Sequence, residues 1–178
     1  MVEVPMRRRR PLTTHELAVV ALEFRRAIEK SNLKRHAKVM ARFPLGCCKH
    51  SSQLLARYFV TELQVPLVTF VHGERGGTGN GDAWQSHVWL RIGDHTVDIT
   101  ADQYVEVDAP VLVSENGGWH ATWSQQRQLT YGEMMSFEFW EGLRFRRMYQ
   151  TVLRTMNHKP RPRVQVPLRN AGPPAEFA

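Results

Sequence analysis

The sequence is poor in cysteine. Cys47 and Cys48 are its only two cysteines, and they are adjacent. Neighbouring cysteines rarely form a disulfide with each other because the bond geometry would strain the ring that closes. Two cysteines also fall short of the four ligands of a usual structural zinc site unless two well-placed histidines join them. We therefore expect both thiols to be reduced, and we expect no metal ion and no cofactor.

A long apolar run is also missing. A membrane-spanning helix needs about 20 consecutive apolar residues, and no run of that length occurs in the sequence. The first residues, MVEVPMRRRRPLTTHEL, include four arginines but no apolar segment behind them, which is unlike a secretory signal. We expect no membrane span and a cytoplasmic protein, or one exported by a non-classical secretion route.

Acidic residues are in the minority. The chain has 24 Lys and Arg against 17 Asp and Glu, a formal net charge of +7, and the excess lies towards the two ends. Such a surface attracts nucleic acid, anionic membranes or acidic proteins. The charge comes without a recognised nucleic-acid-binding motif, so we do not expect nucleic acid. An acidic partner at the basic termini stays open beside the simpler interpretation of a solvated face.

A chain of 178 residues suits one domain with a substantial core. Residues 12–156 are the predicted single domain. Residues 1–11 are a basic arm interrupted by proline, and residues 157–178 contain too many prolines for a helix. We expect this last segment to be a Pro/Arg-rich extended tail.

Apolar periodicity and turn residues divide the domain into helices and strands. Thr13 and Glu16 form a capping-box pattern, and the apolar residues behind them recur at helical spacing. A second helix is predicted over residues 48–62, after a tight turn that Gly46 permits. The remaining predictions are strands in PLVTFVHG, SHVWLRI, TVDIT and around VEVDAPVLVS, and a last helix or pair of helices in GEMMSFEFWEGLRFRRMYQTVLRTM.

The hairpin formed by SHVWLRI and TVDIT makes the most specific prediction. With a two-residue loop at Gly93-Asp94, one face is wholly apolar and the other is polar. On the polar face His87 and Asp98 become diagonal neighbours, with Cβ atoms roughly 6–8 Å apart. Trp89 lies beside them and can shield them from water. A three-residue loop would set polar groups against apolar ones. The opposed pairs are Val88 with Ile99 and Leu90 with Val97 on the apolar face, and His87 with Thr100, Trp89 with Asp98 and Arg91 with Thr96 on the polar face.

A cysteine at a helix start, a histidine and an aspartate can together perform nucleophilic catalysis. The thiolate is the reactive form of cysteine, and both a helix N-terminus and a nearby imidazolium stabilise it. In this scheme Cys48 is the nucleophile, His87 the base, and Asp98 the group that orients the imidazole. The Cys48 backbone N–H faces the developing oxyanion. Cys47 is predicted to be a core residue, because cysteine is among the most buried residue types.

Two motifs carry a resemblance to known enzymes. GCCKHSS matches the G-x-C-x-x-x-S pattern around the nucleophile of papain-like cysteine peptidases, which selects Cys48 over Cys47. HVWLRIGDHTVDITADQ resembles the H-x-W and D-x-T block of transglutaminase-like and bacterial papain-fold proteins, with His87 and Asp98 at the matching positions. The matches cover roughly residues 43–104, and the order Cys, His, Asp also fits that superfamily.

The resemblance implies an α+β fold with a papain-like or transglutaminase-like core, in which N-terminal helices pack on an antiparallel β-sheet and a C-terminal helix follows. It implies a cysteine peptidase or amidase that acts on a protein or peptide substrate through a thioester. A transglutaminase-like acyltransferase or deamidase is the alternative, and a catalytically inactive basic binding module is a further one. The short chain is closest to compact bacterial effector, toxin or peptide-processing forms of the fold.

The resemblance is incomplete at the oxyanion hole. Papain has a glutamine six residues before its cysteine, and Arg42 stands at that place here. The second oxyanion donor is therefore unassigned, with Gln85 and Gln103 as candidates. The predicted substrate-binding residues are Trp89, Trp84 and Gln103. His120, between Trp119 and Trp123, is a weaker site candidate in an aromatic cluster that forms either core or a substrate groove. The glycine-rich loop at residues 73–82 is a candidate lid beside His87.

Overall fold

The computed structural model describes residues 10–76, 83–136 and 142–156. Most of the predicted arm, the whole predicted tail and most of the candidate lid lie outside these ranges. The described part forms a mixed α+β fold with four α-helices and a five-stranded sheet. The helices are α1 (Thr14–Lys30), α2 (Cys48–Thr61), α3 (Tyr131–Ser136) and α4 (Gly142–Thr155), and the strands are β1 (Val68–Arg75), β2 (Gln85–Ile92), β3 (His95–Asp98), β4 (Leu112–Glu115) and β5 (Gln125–Thr130).

The sheet is antiparallel throughout, with strand order β4-β3-β2-β1-β5. One face packs against α1, α2 and α3, while α4 packs on α1 and α2; together they form the main core, which includes Phe24, Leu55 and Leu90. The opposite face carries a smaller cluster of Val71, Trp89 and Trp123. The predicted α+β class, with helices on an antiparallel sheet, is confirmed. None of the described helices is long and apolar enough to cross a membrane.

The start of α1 is the predicted capping box. The Thr13 hydroxyl oxygen accepts a hydrogen bond from the Glu16 backbone N–H at 3.2 Å, and the Glu16 carboxylate accepts one from the Thr13 N–H at 2.9 Å. These bonds satisfy donors that a helix start otherwise leaves unpaired. The predicted apolar stripe faces the core, and its buried members are Leu17, Ala21, Phe24, Ala27 and Ile28.

The hairpin register is confirmed. β2 and β3 pair Leu90 with Val97, and Gly93 has φ +58° in the two-residue loop, a backbone conformation that favours glycine. Val88 and Ile99 are also buried in the main core, as the alternation predicts. The polar face of the hairpin is therefore directed away from the helices, at the end of the sheet where His87 lies.

One strand prediction needed correction, and one strand was missed. The strand predicted around VEVDAPVLVS forms only at Leu112–Glu115, because Pro110 lacks the N–H that a sheet ladder requires; Val105, at the start of this segment, is 99% exposed. β5 was not predicted. Its sequence, QQRQLT, lacks apolar alternation since it is a largely exposed edge strand that pairs with β1.

A buried arginine connects α1 to the segment after β3. Arg25 is 5% exposed, and it donates to the Ile99 carbonyl at 2.9 Å and the Pro110 carbonyl at 2.6 Å. Its guanidinium also forms two hydrogen bonds of 2.7 Å with the Asp102 carboxylate. A buried charge requires such partners. The contacts fix the position of the turn that carries Gln103.

Candidate active site

The two cysteines occupy different environments at the start of α2. Gly46, with φ +67°, turns the chain into the helix, and Cys48 is its first residue. Cys47 is 1% exposed, and its thiol donates to the Pro44 carbonyl. Burial, only partly offset by a hydrogen bond from Ser51, raises the pKa of Cys47 to about 11. Cys48 is partly exposed, so it is the more accessible of the two sulfurs.

The predicted histidine–aspartate pair forms on the polar face of the hairpin. His87 Nε2 lies 2.6 Å from Asp98 Oδ2, and both side chains are completely buried. The other carboxylate oxygen, Oδ1, accepts hydrogen bonds from the Thr100 backbone N–H at 2.8 Å and from its hydroxyl at 3.1 Å. Asp98 therefore holds the imidazole by Nε2 and leaves Nδ1 for a second partner.

Cys48 interacts with His87. Burial opposes a charged imidazole, but the charge of Asp98 and hydrogen bonds with Asp98 and Cys48 outweigh burial and raise the pKa of His87 to about 9. Burial likewise acts to raise the pKa of Asp98, and the charge of His87 with hydrogen bonds from both histidines brings it well below its usual range. The three residues thus favour an ionised carboxylate beside an imidazolium.

Gln103 joins the helix start to the histidine. Its Oε1 accepts a hydrogen bond from the Gly46 backbone N–H at 3.2 Å, and its Nε2 donates to the Thr100 carbonyl at 2.9 Å. The same Nε2 lies 3.2 Å from His87 Nδ1. Of the two candidate oxyanion donors, Gln103 is therefore in contact with the site. Gln85 is exposed and accepts a hydrogen bond from Arg75.

Aromatic rings surround His87. The ring centroids of Trp89, Tyr104, Trp119 and Trp123 lie 5.2–6.1 Å from that of the imidazole. Trp89 packs over Gly73 so closely that a Cβ atom there would lie 2.4 Å from the indole. The rings exclude water from the His87–Asp98 pair, which strengthens its electrostatic interactions.

The predicted substrate-binding residues differ in exposure. Trp89 is 1% exposed and lies in the aromatic wall, so its role in contacting substrate stays a prediction. Trp84 is 60% exposed and borders a cavity of about 230 Å³ with Glu74, Gln85 and Ser86. Gln103 is partly buried beside His87 Nδ1. Among these three, Gln103 has the most direct connection to the proposed chemistry.

His120 belongs to the site more closely than the sequence indicated. Its Nε2 lies 2.8 Å from Asp98 Oδ2, the same oxygen that His87 contacts, and its side chain is buried. From the sequence it could be placed only among its aromatic neighbours, because no periodic pattern relates residue 120 to residue 98. His95, in contrast, contacts Thr14 and Glu115 at the other end of β3.

His87, Asp98 and His120 offer three potential metal ligands within 4.8 Å of one another. Their nitrogen–oxygen separations of 2.6 and 2.8 Å are hydrogen-bond lengths. Ligands bound to zinc at about 2.0–2.2 Å in tetrahedral geometry would stand roughly 3.3 Å apart. The observed spacing therefore favours a hydrogen-bonded group over a metal centre.

The chain matches no protein-family model, no curated protein and no solved structure. The case for a function therefore depends on this chain's own residues. What supports it is a partly exposed thiol at a helix start, coupled to an imidazole that a buried carboxylate holds.

Proposed function

We propose that this protein is a cysteine hydrolase of peptide or amide bonds with a papain-like or transglutaminase-like core. Cys48 is the nucleophile, His87 the general base and acid, and Asp98 the orienting carboxylate. The observation that carries the proposal is the buried His87–Asp98 hydrogen bond of 2.6 Å on an imidazole that also interacts with Cys48. A nucleophile, a base and an orienting group in contact are the requirements of such catalysis.

The reaction has two halves. In the first, His87 Nδ1 takes the thiol proton, the Cys48 sulfur attacks the carbonyl carbon, and the carbon–nitrogen bond breaks as the imidazolium protonates the departing amine. In the second, water attacks the thioester, loses a proton to Nδ1, and the carbon–sulfur bond breaks to return the thiol and release the acid. Asp98 stabilises the imidazolium in both halves without itself taking a proton.

The oxyanion of each tetrahedral intermediate needs hydrogen-bond donors. The Cys48 backbone N–H at the helix start is one, since it lacks a partner within the helix. Gln103 Nε2 is the second. While Nδ1 of His87 is unprotonated, it can accept from Gln103; once Nδ1 holds the thiol proton, that acceptor is gone. Because the raised pKa of His87 favours the imidazolium before the carbonyl is attacked, the Gln103 N–H is then already free for the oxyanion.

Replacing Gln103 tests this assignment. We expect Gln103→Ala to lower kcat by about 10²–10³-fold with a smaller change in KM, because a donor to the oxyanion acts only in the transition state. Gln103→Glu, which keeps the acceptor for the Gly46 N–H, should be at least as impaired. Steady-state kinetics on a cleaved peptide measures both. An unchanged kcat in Gln103→Ala would assign the second donor elsewhere.

A covalent adduct is the most direct test of the proposed function. Intact-mass spectrometry after incubation with electrophilic peptide probes should show one adduct, and peptide mapping should place it on Cys48. Cys48→Ser should give no adduct and His87→Ala a much slower one. His95→Ala is the matched control, because this histidine lies at the far end of the hairpin, and it should react like the unaltered protein. An adduct that forms equally fast in His87→Ala would contradict the proposal.

The acceptor of the acyl group decides between hydrolysis and the alternative of acyl transfer or deamidation. An acyl-enzyme trapped on Cys48 and offered a primary amine together with water should release mainly the acid if the protein is a hydrolase. Predominant amide product would instead identify an acyltransferase. Mass spectrometry of the released product measures this partition.

A basic cleft favours a second candidate function, the binding of an acidic protein partner. The cleft has a volume of about 300 Å³ and lies between α4 and the turn after α1. None of its arginines has a salt bridge to any residue that the structure describes. Unneutralised like charges attract an anionic ligand. The lining residues are Arg35, His36, Arg146, Arg147, Gln150, Thr151 and Arg154.

Charge reversal tests this cleft. A fluorescent oligo-glutamate peptide should bind with a salt-dependent Kd, and Arg146→Glu with Arg147→Glu should weaken binding at least about tenfold. Arg91→Glu with Arg127→Glu makes the same change in net charge on exposed strand positions and should leave most of the affinity. Equal losses in both double variants would show that net charge alone attracts the peptide.

A further inference from the structure

We propose that His120 is a positioning residue of the same site, which holds the ionised Asp98 carboxylate in the orientation that His87 requires. The inference rests on the proposed function, because a positioning role has meaning only where His87 and Cys48 react. It adds a fourth side chain to the nucleophile, base and orienting group.

The hydrogen bonds of Asp98 support this role. The carboxylate is almost completely buried and receives four donors, two on each oxygen. Thr100 supplies both donors to Oδ1, and His87 and His120 share Oδ2 at 2.6 and 2.8 Å. A carboxylate that is this deeply buried stays ionised only if donors replace its lost hydration. His120 provides one of the two donors on the oxygen that faces the base.

The tautomer of His120 follows from its contacts. An ionised carboxylate accepts only, so the His120 nitrogen at 2.8 Å from Asp98, Nε2, carries a hydrogen. Nδ1 is buried and has no hydrogen-bond partner among the described residues. An unprotonated Nδ1 costs less free energy there than a protonated one, because a buried N–H would need an acceptor. His120 thus donates once to Asp98, while His87 has the second contact, with Cys48, through which a proton can move.

The surrounding chain restricts movement of the His120 ring. His120 lies in the short 3₁₀ helix Gly118–Thr122, and its carbonyl accepts a hydrogen bond from the Gln126 side chain at 2.8 Å. The Trp89 and Trp119 ring centroids lie 4.7 and 5.0 Å from the imidazole. The ring is therefore held against the carboxylate by packing on two sides.

The inference predicts a change in pH dependence. The titratable groups that face Asp98 are His87 and His120, with Cys48 acting through His87 and Tyr104 through its charge. Without the His120 donor the carboxylate is held less firmly towards His87, so its charge and hydrogen bond raise the pKa of His87 less. The basic limb of the pH profile, where the imidazolium loses its proton, should then move to lower pH.

Three variants separate a positioning role from a purely structural one. His120→Leu removes the donor. His120→Gln can place an amide N–H where Nε2 lies, and His120→Asn is one carbon too short to reach it. The measured quantities are kcat and the rate of iodoacetamide labelling of Cys48 between pH 5 and pH 10, with circular dichroism to verify folding.

We expect His120→Leu and His120→Asn to lose about 10–100-fold in kcat, with a basic limb about one pH unit lower, and His120→Gln to restore most of both. If His120→Leu does not fold, the comparison of His120→Gln with His120→Asn still distinguishes a positioning role from a structural one. A normalised pH profile that coincides with that of the unaltered protein in His120→Asn would overturn the inference. So would a His120→Gln variant as impaired as His120→Asn. Failure of the proposed function is distinct, because then Cys48 of the unaltered protein would not react preferentially at all.

Discussion

At pH 7, iodoacetamide is expected to alkylate Cys48 at least about a hundredfold faster than the adjacent Cys47. Only the thiolate reacts. Burial raises the pKa of Cys47 to about 11, which leaves roughly one Cys47 thiolate in ten thousand at neutral pH. Cys48 is partly exposed, begins a helix and interacts with His87, and each of these features promotes its reaction. Time-resolved peptide mapping by mass spectrometry measures the two rates.

The same experiment on variants identifies the cause of the difference. His87→Ala should slow the labelling of Cys48 about tenfold or more and leave Cys47 unchanged, because the imidazolium no longer stabilises the sulfur anion. His95→Ala should alter neither rate. Slow and equal labelling of both thiols in the unaltered protein would count decisively against a catalytic Cys48.

Asp98→Asn is expected to lower kcat by about 10³–10⁴-fold. An amide at this position cannot balance the charge of the imidazolium, and its NH₂ group stabilises the wrong tautomer of the imidazole. The loss should appear in kcat more than in KM, since the carboxylate acts on the base rather than on the substrate. Steady-state kinetics at pH 7 measures it, and a loss smaller than about tenfold would remove Asp98 from the mechanism.

Asp98→Asn should also change how stability depends on pH. The pKa of His87 is raised to about 9 in the folded protein, so the stabilisation is complete below its ordinary value of about 6.5 and disappears as pH rises through 9. In the unaltered protein this contribution to the free energy of unfolding should fall by about 3 kcal/mol over that window. The pKa of Asp98 is lowered, so its own contribution is lost only at acid pH.

Urea unfolding at pH 6, 8 and 10 measures this dependence. The difference in free energy of unfolding between the unaltered protein and Asp98→Asn should be largest at pH 6 and shrink towards pH 10. Taking the difference removes the contributions of lysines and tyrosines, which both proteins share. A difference that stays constant from pH 6 to pH 10 would show that Asp98 does not stabilise a charged His87.

The hairpin explains how far the sequence could predict the candidate site. Strict alternation and a two-residue loop set the register, so the proximity of His87 and Asp98 followed from local geometry. Cys48 could be selected from its motif, although the distance between a helix and a hairpin has no local rule. His120 lies 22 residues beyond Asp98 in a short 3₁₀ helix, and no periodic pattern places such a residue.

The elements that escaped prediction share a physical cause. β5 is held by backbone pairing with β1 while most of its side chains face solvent. Its sequence therefore lacks the apolar alternation that predicts a strand. The burial of Arg25 was likewise missed, because its partners other than Glu29 are carbonyls and a carboxylate more than 70 residues away. In both cases most of the stabilising groups are distant in sequence, and composition or periodicity cannot reveal them.

The guanidinium of Arg25 connects the first helix to the proposed site, although no residue of that helix belongs to the site. Its acceptors at Ile99, Asp102 and Pro110 belong to the segment that bears Thr100 and Gln103. Substitution of Arg25 alone would leave those acceptors without a donor, and substitution of the segment alone would leave the buried guanidinium without acceptors. Homologous chains should therefore replace position 25 and the segment after β3 together or leave both unchanged. Substitutions beside the site are then coupled to a residue of a helix outside it.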